Sequence, residues 1–257
     1  MNYVGASRLR KEVFLEITHK AAERLEFARL KAKSNPLNGH NQFALAILEM
    51  FYLVLGVRVT NNMLSRLAND LSPNGDLFMP RDKNTDALHA TRMSVLCPFA
   101  IDVLADYFQH LTLLMRVLQK QQGVKRFHRS LSAPPGLFFQ LRQSGPNQPY
   151  TSAEPVTRME VLAYLPKPFH IRTSEPRVQL RCYLESTGLS QAVKAAIMGH
   201  SRELAATFGS ERFWSMHDFA EQAAGVLQEY AEYLGYITAE QDAASNRRSI
   251  KAKEVAE

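Results

Sequence analysis

The order of apolar and polar positions divides this chain into helices with one short β-hairpin among them. Over residues 7–34, Leu9, Val13, Ile17, Ala21, Leu25 and Ala28 recur along one stripe, opposite a face dense in both signs of charge. That predicts a long amphipathic helix with Ser7 as its N-cap. Glu12, Glu16, Glu23 and Glu26 neutralise much of the charged face, so the helix is expected to pack on the rest of the molecule rather than reach out as a basic arm. A break at Ser34-Asn35-Pro36-Leu37-Asn38-Gly39 follows. The apolar run from Phe43 to Val57 is 15 residues long with Glu49 inside it, too short to span a bilayer, and predicts a buried core helix.

Ser72-Pro73-Asn74-Gly75 is a turn signal, and Asp76–Met79 and Met93–Leu96 read as short strands joined by the polar loop Arg81–Thr91. Pro98 opens a helix whose stripe is Ile101, Leu104, Phe108, Leu111, Met115 and Leu118. Residues 121–176 give no readable period; they hold several Pro and Gly breaks and a basic cluster of Lys125, Arg126, His128 and Arg129 beside Phe127. A helix over Val178–Thr187 ends at Gly188, and Ser190 caps another, Gln191–Met198, which Gly199 terminates. A last helix starts at Ser215, with Asp218 three residues on. It buries Phe219, Ala223, Val226, Leu227, Tyr230 and Leu234, and stops at Gly235. The fold class expected is mainly α with a small antiparallel β-sheet. Residues 1–35 form the N-terminal amphipathic helix, 36–238 the main domain, and 239–257 a mobile polar tail.

Composition changes this picture little. The chain has 257 residues, 46% hydrophobic and 22% charged, enough for a substantial core. Its formal net charge of +6 suits a polyanionic partner. Cys97 and Cys182 stand far apart, which argues for a reducing compartment and against a disulfide framework or a zinc site. The histidines are scattered with no His-x-x-x-His pair, so no metal and no cofactor is expected. The start of the chain turns charged at Arg8-Leu9-Arg10-Lys11 without the apolar run of a signal peptide.

The candidate chemistry lies in Arg58, Lys83, Arg181 and His200. Arg58 ends Gly56-Val57-Arg58 after the buried helix. Lys83 lies in the hairpin, followed by Arg92-Met93-Ser94-Val95-Leu96. Arg181 ends Val178-Gln179-Leu180-Arg181, and His200 lies in Ile197-Met198-Gly199-His200-Ser201. Two arginines, a lysine and a histidine are what holding a phosphodiester in its transition state requires. Guanidinium groups fork two donors onto two oxygens, a histidine adds a donor or a proton shuttle, and a lysine can protonate a leaving oxygen.

In order and context these boxes, over about residues 36–236, resemble the catalytic domain of the tyrosine recombinases, the phage-type integrases. The resemblance implies that fold, double-stranded DNA as partner, and Arg58, Lys83, Arg181 and His200 as catalytic residues, with Arg58, Arg177, Arg181 and His200 on DNA phosphate. It also implies a mobile-element origin, a bacterial cytoplasmic, nucleoid-associated location, and a second recombinase subunit or self-association as further partner.

The chain departs from the pattern in three places. Val178 stands where a histidine is expected, with His170 and Arg177 as substitutes to consider. Asn61 stands where an acidic residue is usual. No tyrosine occurs between Tyr183 and Tyr230, so Phe213 or Trp214 falls at the nucleophile position. Tyr230 and Tyr233 are the remaining nucleophile candidates, about 30 residues after His200. The expected function is therefore DNA binding in recombination or integration with strand cleavage lost or impaired. The alternatives are an active recombinase using Tyr230 or Tyr233, and a helical scaffold with no nucleic-acid role, in which Arg181 simply pairs with Glu185.

Overall fold

The computed structural model describes residues 9–59, 77–78, 94–121, 136–145, 150–171, 173–198 and 216–237. Ser7, Asn61, Lys83, the cluster at Lys125, Arg126, His128 and Arg129, Gly199, His200, Phe213, Trp214, Ser215 and the tail lie outside the described residues. The described residues are mainly helical, as the chain's patterning leads one to expect of an α+β fold, and hold two small antiparallel sheets of two strands each where one was expected.

The first two helices, α1 (Lys11–Ser34) and α2 (Pro36–Val54), are separated by Asn35 alone. The Asn35 side chain accepts from the Asn38 backbone N–H at 3.2 Å, and Pro36 starts the helix where its missing N–H costs nothing. The two helices then run so close that a Cβ on Gly39 would fall 2.5 Å from Ala32 Cα, so only glycine fits there. α1 is thus part of the core. Its buried stripe is Phe14, Thr18, Ala21, Leu25, Ala28 and Ala32, while Val13 is 39% exposed. A stripe advanced by fours, as Leu9, Val13, Ile17, Ala21 and Leu25 suggest, drifts around a helix of 3.6 residues per turn; alternating steps of four and three hold one face.

α2 is buried on nearly all sides, Glu49 included, and forms the centre of the molecule. Arg24 on α1 reaches Glu49 with Nη2–Oε1 at 2.6 Å, which explains how one charge sits in an apolar run. Residues Phe14, Tyr52 and Phe169 meet edge to face, with centroids 6.1 Å and 5.7 Å from Phe169, and lock α1, α2 and a later turn together.

The predicted hairpin is present as β1 (Leu77–Phe78) and β2 (Ser94–Val95), with Leu77 opposite Val95 and Phe78 opposite Ser94. α3 (Pro98–Gln121) follows, and its inward residues include Val103, Tyr107, His110, Leu114 and Leu118. Phe108 is 42% exposed, so the stripe is turned by one residue from the predicted one. Tyr107 and His110 count as polar in a pattern, yet each carries a ring that packs inward and a tip that finds a partner. The Tyr107 hydroxyl donates to the Leu137 carbonyl at 3.1 Å.

Within the stretch without readable period lies a second hairpin, β3 (Phe139–Gln143) and β4 (Tyr150–Pro155), with Phe139 opposite Pro155 and Leu141 opposite Ala153. Asn41 of α2 acts as a strand edge for it. Its amide donates to the Leu141 carbonyl at 2.9 Å and accepts from the Leu141 N–H at 2.7 Å. α4 (Arg158–Tyr164) opens on a capping box between Thr157 and Glu160, and α5 (Lys167–Ile171) is short. α6 (Glu175–Glu185), α7 (Gln191–Met198) and α8 (Met216–Tyr233) are the remaining helices among the described residues. α7 has the bounds its caps predict, and α6 starts earlier than its apolar pattern does because Pro176 occupies its first turn. Among the described residues no helix is long and apolar enough to cross a membrane.

Candidate functional site

α2 ends by turning sharply. The N–H groups of Leu55 and Val57 both point back to the Phe51 carbonyl, at 3.1 Å and 3.4 Å, and Gly56 adopts φ +58°. The turn returns Val57 to the core and leaves Arg58 exposed. It also presses the backbone onto α6: a Cβ on Gly56 would meet Leu180 Cδ2 at 3.1 Å and Arg177 Cγ at 3.3 Å. Arg58 therefore stands two residues from a point where the α2 terminus touches Arg177.

Arg177 in turn reaches α7. Its Nη2 donates to the Met198 carbonyl at 2.6 Å. Met198 ends α7, where carbonyls lack helical partners and a cation is favoured by the helix dipole. His200 follows two residues later, outside the described residues. Three stretches singled out in the sequence, those of Arg58, of the α6 arginines and of the α7 terminus, are thus joined through the single side chain of Arg177. Its role is legible in retrospect: Glu175 and Pro176 mark the first turn of α6, which puts Arg177 one turn before Arg181.

Arg181 lies on the outer side of α6, with Nε 3.8 Å from Glu185 Oε1. Lys194 of α7 approaches the same carboxylate, Nζ to Oε2, also at 3.8 Å. Between the two helices is a pocket of about 170 Å³, lined by Arg181, Glu185, Gln191, Lys194 and Met198 among others. The Arg181–Glu185 pair is the one expected from helical spacing, whereas Lys194 does not stand out in the sequence, because its pairing with Glu185 joins two helices.

The chain matches no protein-family model, no curated protein and no solved structure.

What the site can do follows from its own groups. Guanidinium groups are permanently charged and suit phosphate oxygens. Among the described residues no three His, Cys, Asp or Glu side chains are grouped to hold a metal ion. His170 commits Nε2 to the Leu165 carbonyl at 2.8 Å, at the turn between α4 and α5. Tyr230 is 1% exposed, and its hydroxyl is buried without a hydrogen-bond partner among the described residues. Its ring lies 4.8 Å from that of Tyr183 and 6.1 Å from that of Tyr233. Burial, then the neighbouring Tyr233, Cys182 and Tyr183, push its pKa well above the usual value for a phenol. Burial thus disfavours the phenolate and withdraws the hydroxyl from the surface. Tyr233 is half-buried at the edge of the same cluster, with Lys11 Nζ 5.0 Å above its ring.

Proposed function

We propose that this protein binds DNA through a tyrosine-recombinase-like catalytic fold, and that its strand cleavage is lost or impaired. The observation that carries the reading is the contact of the Gly56 backbone with Arg177, which itself holds the end of α7. It puts Arg58 and Arg177 on neighbouring elements, where two guanidinium groups favour one stretch of DNA backbone. The order of the Arg58, Lys83, Arg181 and His200 boxes supports the same reading. Arg177 takes the inner place in this arrangement and Arg181 the rim. Grip of this kind is electrostatic and largely independent of base sequence.

Cleavage needs a nucleophile that attacks phosphorus and holds the DNA end. The stretch from Leu184 to Glu229 contains no tyrosine, and Tyr230 is enclosed in the core. The protein then serves as a binding partner or regulator of recombination rather than as a strand transferase.

The test is duplex binding measured over a range of salt concentrations, together with incubation on a nicked duplex carrying a 5′-phosphorothiolate, which traps phosphotyrosyl adducts. The expected result is salt-sensitive binding without a covalent band. Arg58→Ala with Arg177→Ala should lower the slope of log K against log salt by about two. A covalent band would overturn the loss of cleavage. Absence of duplex binding at low salt would overturn the DNA reading and leave the helical scaffold.

A further inference from the structure

We infer that the pocket between α6 and α7 is a second phosphate site, formed by Arg181 and Lys194, in which a DNA backbone phosphate takes the place of the Glu185 carboxylate. This rests on the reading of Arg58 and Arg177 as a phosphate grip and extends it along the strand.

The Lys194 side chain is only 10% exposed, and its ionic partner among the described residues is Glu185 Oε2 at 3.8 Å, beyond hydrogen-bond length. An ammonium carries three donors, and this one belongs to a side chain that lines the pocket. Arg181 Nε sits at the same 3.8 Å from the other carboxylate oxygen. One carboxylate thus faces two cations and closes on neither, and the cluster keeps a positive charge. Glu185 is itself 47% exposed, near the end of α6, so its side chain has solvent to swing into. The adjoining space of about 170 Å³ has room for several waters of about 30 Å³ each, or for a phosphate group.

Position supplies the rest. Arg177 and Arg181 are one turn apart on α6, a rise of about 6 Å. Met198 offers its carbonyl to Arg177 and also lines the pocket. The two sites are therefore contiguous along one helix, as successive phosphates of one strand require. Glu185 then works against binding in the free protein, and its displacement ties occupancy of the second site to a ligand with more than one phosphate.

The experiment uses the full chain and a duplex of fixed length, with the salt dependence of Kd measured for the wild type, Lys194→Gln, Lys194→Arg and Glu185→Gln. Lys194→Gln should weaken binding about tenfold at low salt and lower the salt slope by about one; Lys194→Arg should restore both. Glu185→Gln should tighten binding several-fold, because no carboxylate has to be displaced. Should Lys194→Gln fail to fold, Glu185→Gln and Lys194→Arg still decide the matter. If Glu185→Gln binds no more tightly and Lys194→Gln keeps the wild-type slope, while Arg58→Ala with Arg177→Ala lowers it, the second site is wrong and the first stands. No duplex binding by the wild type would instead remove the reading on which it rests. If inorganic phosphate raises the melting temperature of the wild type but not of Lys194→Gln, with the DNA slope unchanged, the pocket serves a free phosphate and not DNA.

Discussion

Arg177 Nη2 stands 2.6 Å from the carbonyl oxygen of Met198, so the first turn of α6 caps the last turn of α7. A hydrogen bond from a charged donor of this kind contributes about 2 kcal/mol. Arg177→Ala is expected to lower the unfolding free energy by about that amount and Arg181→Ala by less than about 0.5 kcal/mol, since an exposed pair at 3.8 Å contributes little. Urea denaturation of the two variants checks this. Equal losses would show that the two arginines do not differ in the way their surroundings indicate.

The pair Arg24 and Glu49 gives a second test. Burial pushes the Glu49 carboxyl up, against the hydrogen bond and charge of Arg24. Arg24→Met leaves that carboxylate without its partner and should cost about 2 kcal/mol, below the range for fully buried pairs because the Arg24 side chain is 36% exposed. Adding Glu49→Gln should recover part of the loss. A double-mutant cycle with no coupling between the two positions would contradict the geometry.

Acid should unfold this protein in a manner set by two histidines. His40 lies within 3.0 Å of the Phe139 carbonyl through Nε2 and 3.1 Å of His110 Nε2 through Nδ1. A carbonyl only accepts, so His40 carries its proton on Nε2, and His110 must donate to the bare Nδ1. Both rings are neutral in this arrangement. Burial, then the neighbouring His110, lowers the His40 pKa to about 3 against the Phe139 carbonyl, and burial lowers that of His110 to about 4. Depressed values on bases mean that the unfolded chain binds more protons below its own value near 6.5. The neutral pair therefore costs nothing above about pH 6.5, and stability falls as pH drops from there towards 4, by up to about 2.7 kcal/mol per pH unit for two protons. Denaturation midpoints between pH 7 and 4.5 should decline steeply in the wild type and less so in His110→Gln. Equal slopes would show that the pair does not govern the acid limb.

Tyr230→Phe separates packing from chemistry. The hydroxyl is buried and unpartnered among the described residues, so its removal should leave stability unchanged or raise it by about 1 kcal/mol. DNA binding should be unaffected. A variant that lost an adduct formed by the wild type would restore Tyr230 as a nucleophile.

The sequence by itself determined the helical class, the β1–β2 hairpin, the limits of α7 and the near-complete burial of α2, because caps, turns and apolar runs act within a few residues of themselves. It also placed Arg58 just past the end of a buried helix. Tertiary structure decided the rest. The stripe of α3 turned by a residue, because Tyr107 and His110 are polar by type yet pack inward once their tips find partners, while that of α1 differs from the expected one only before Ala21. The β3–β4 hairpin carries weak local signals and is completed by Asn41, about a hundred residues away. Arg177 touches Gly56, and Glu49 finds Arg24, only because α1 and α6 both pack on α2. A periodic pattern reports which face of an element is apolar. Which faces meet, and so which charges share a site, depends on contacts between residues far apart in the chain, and no local period carries that information.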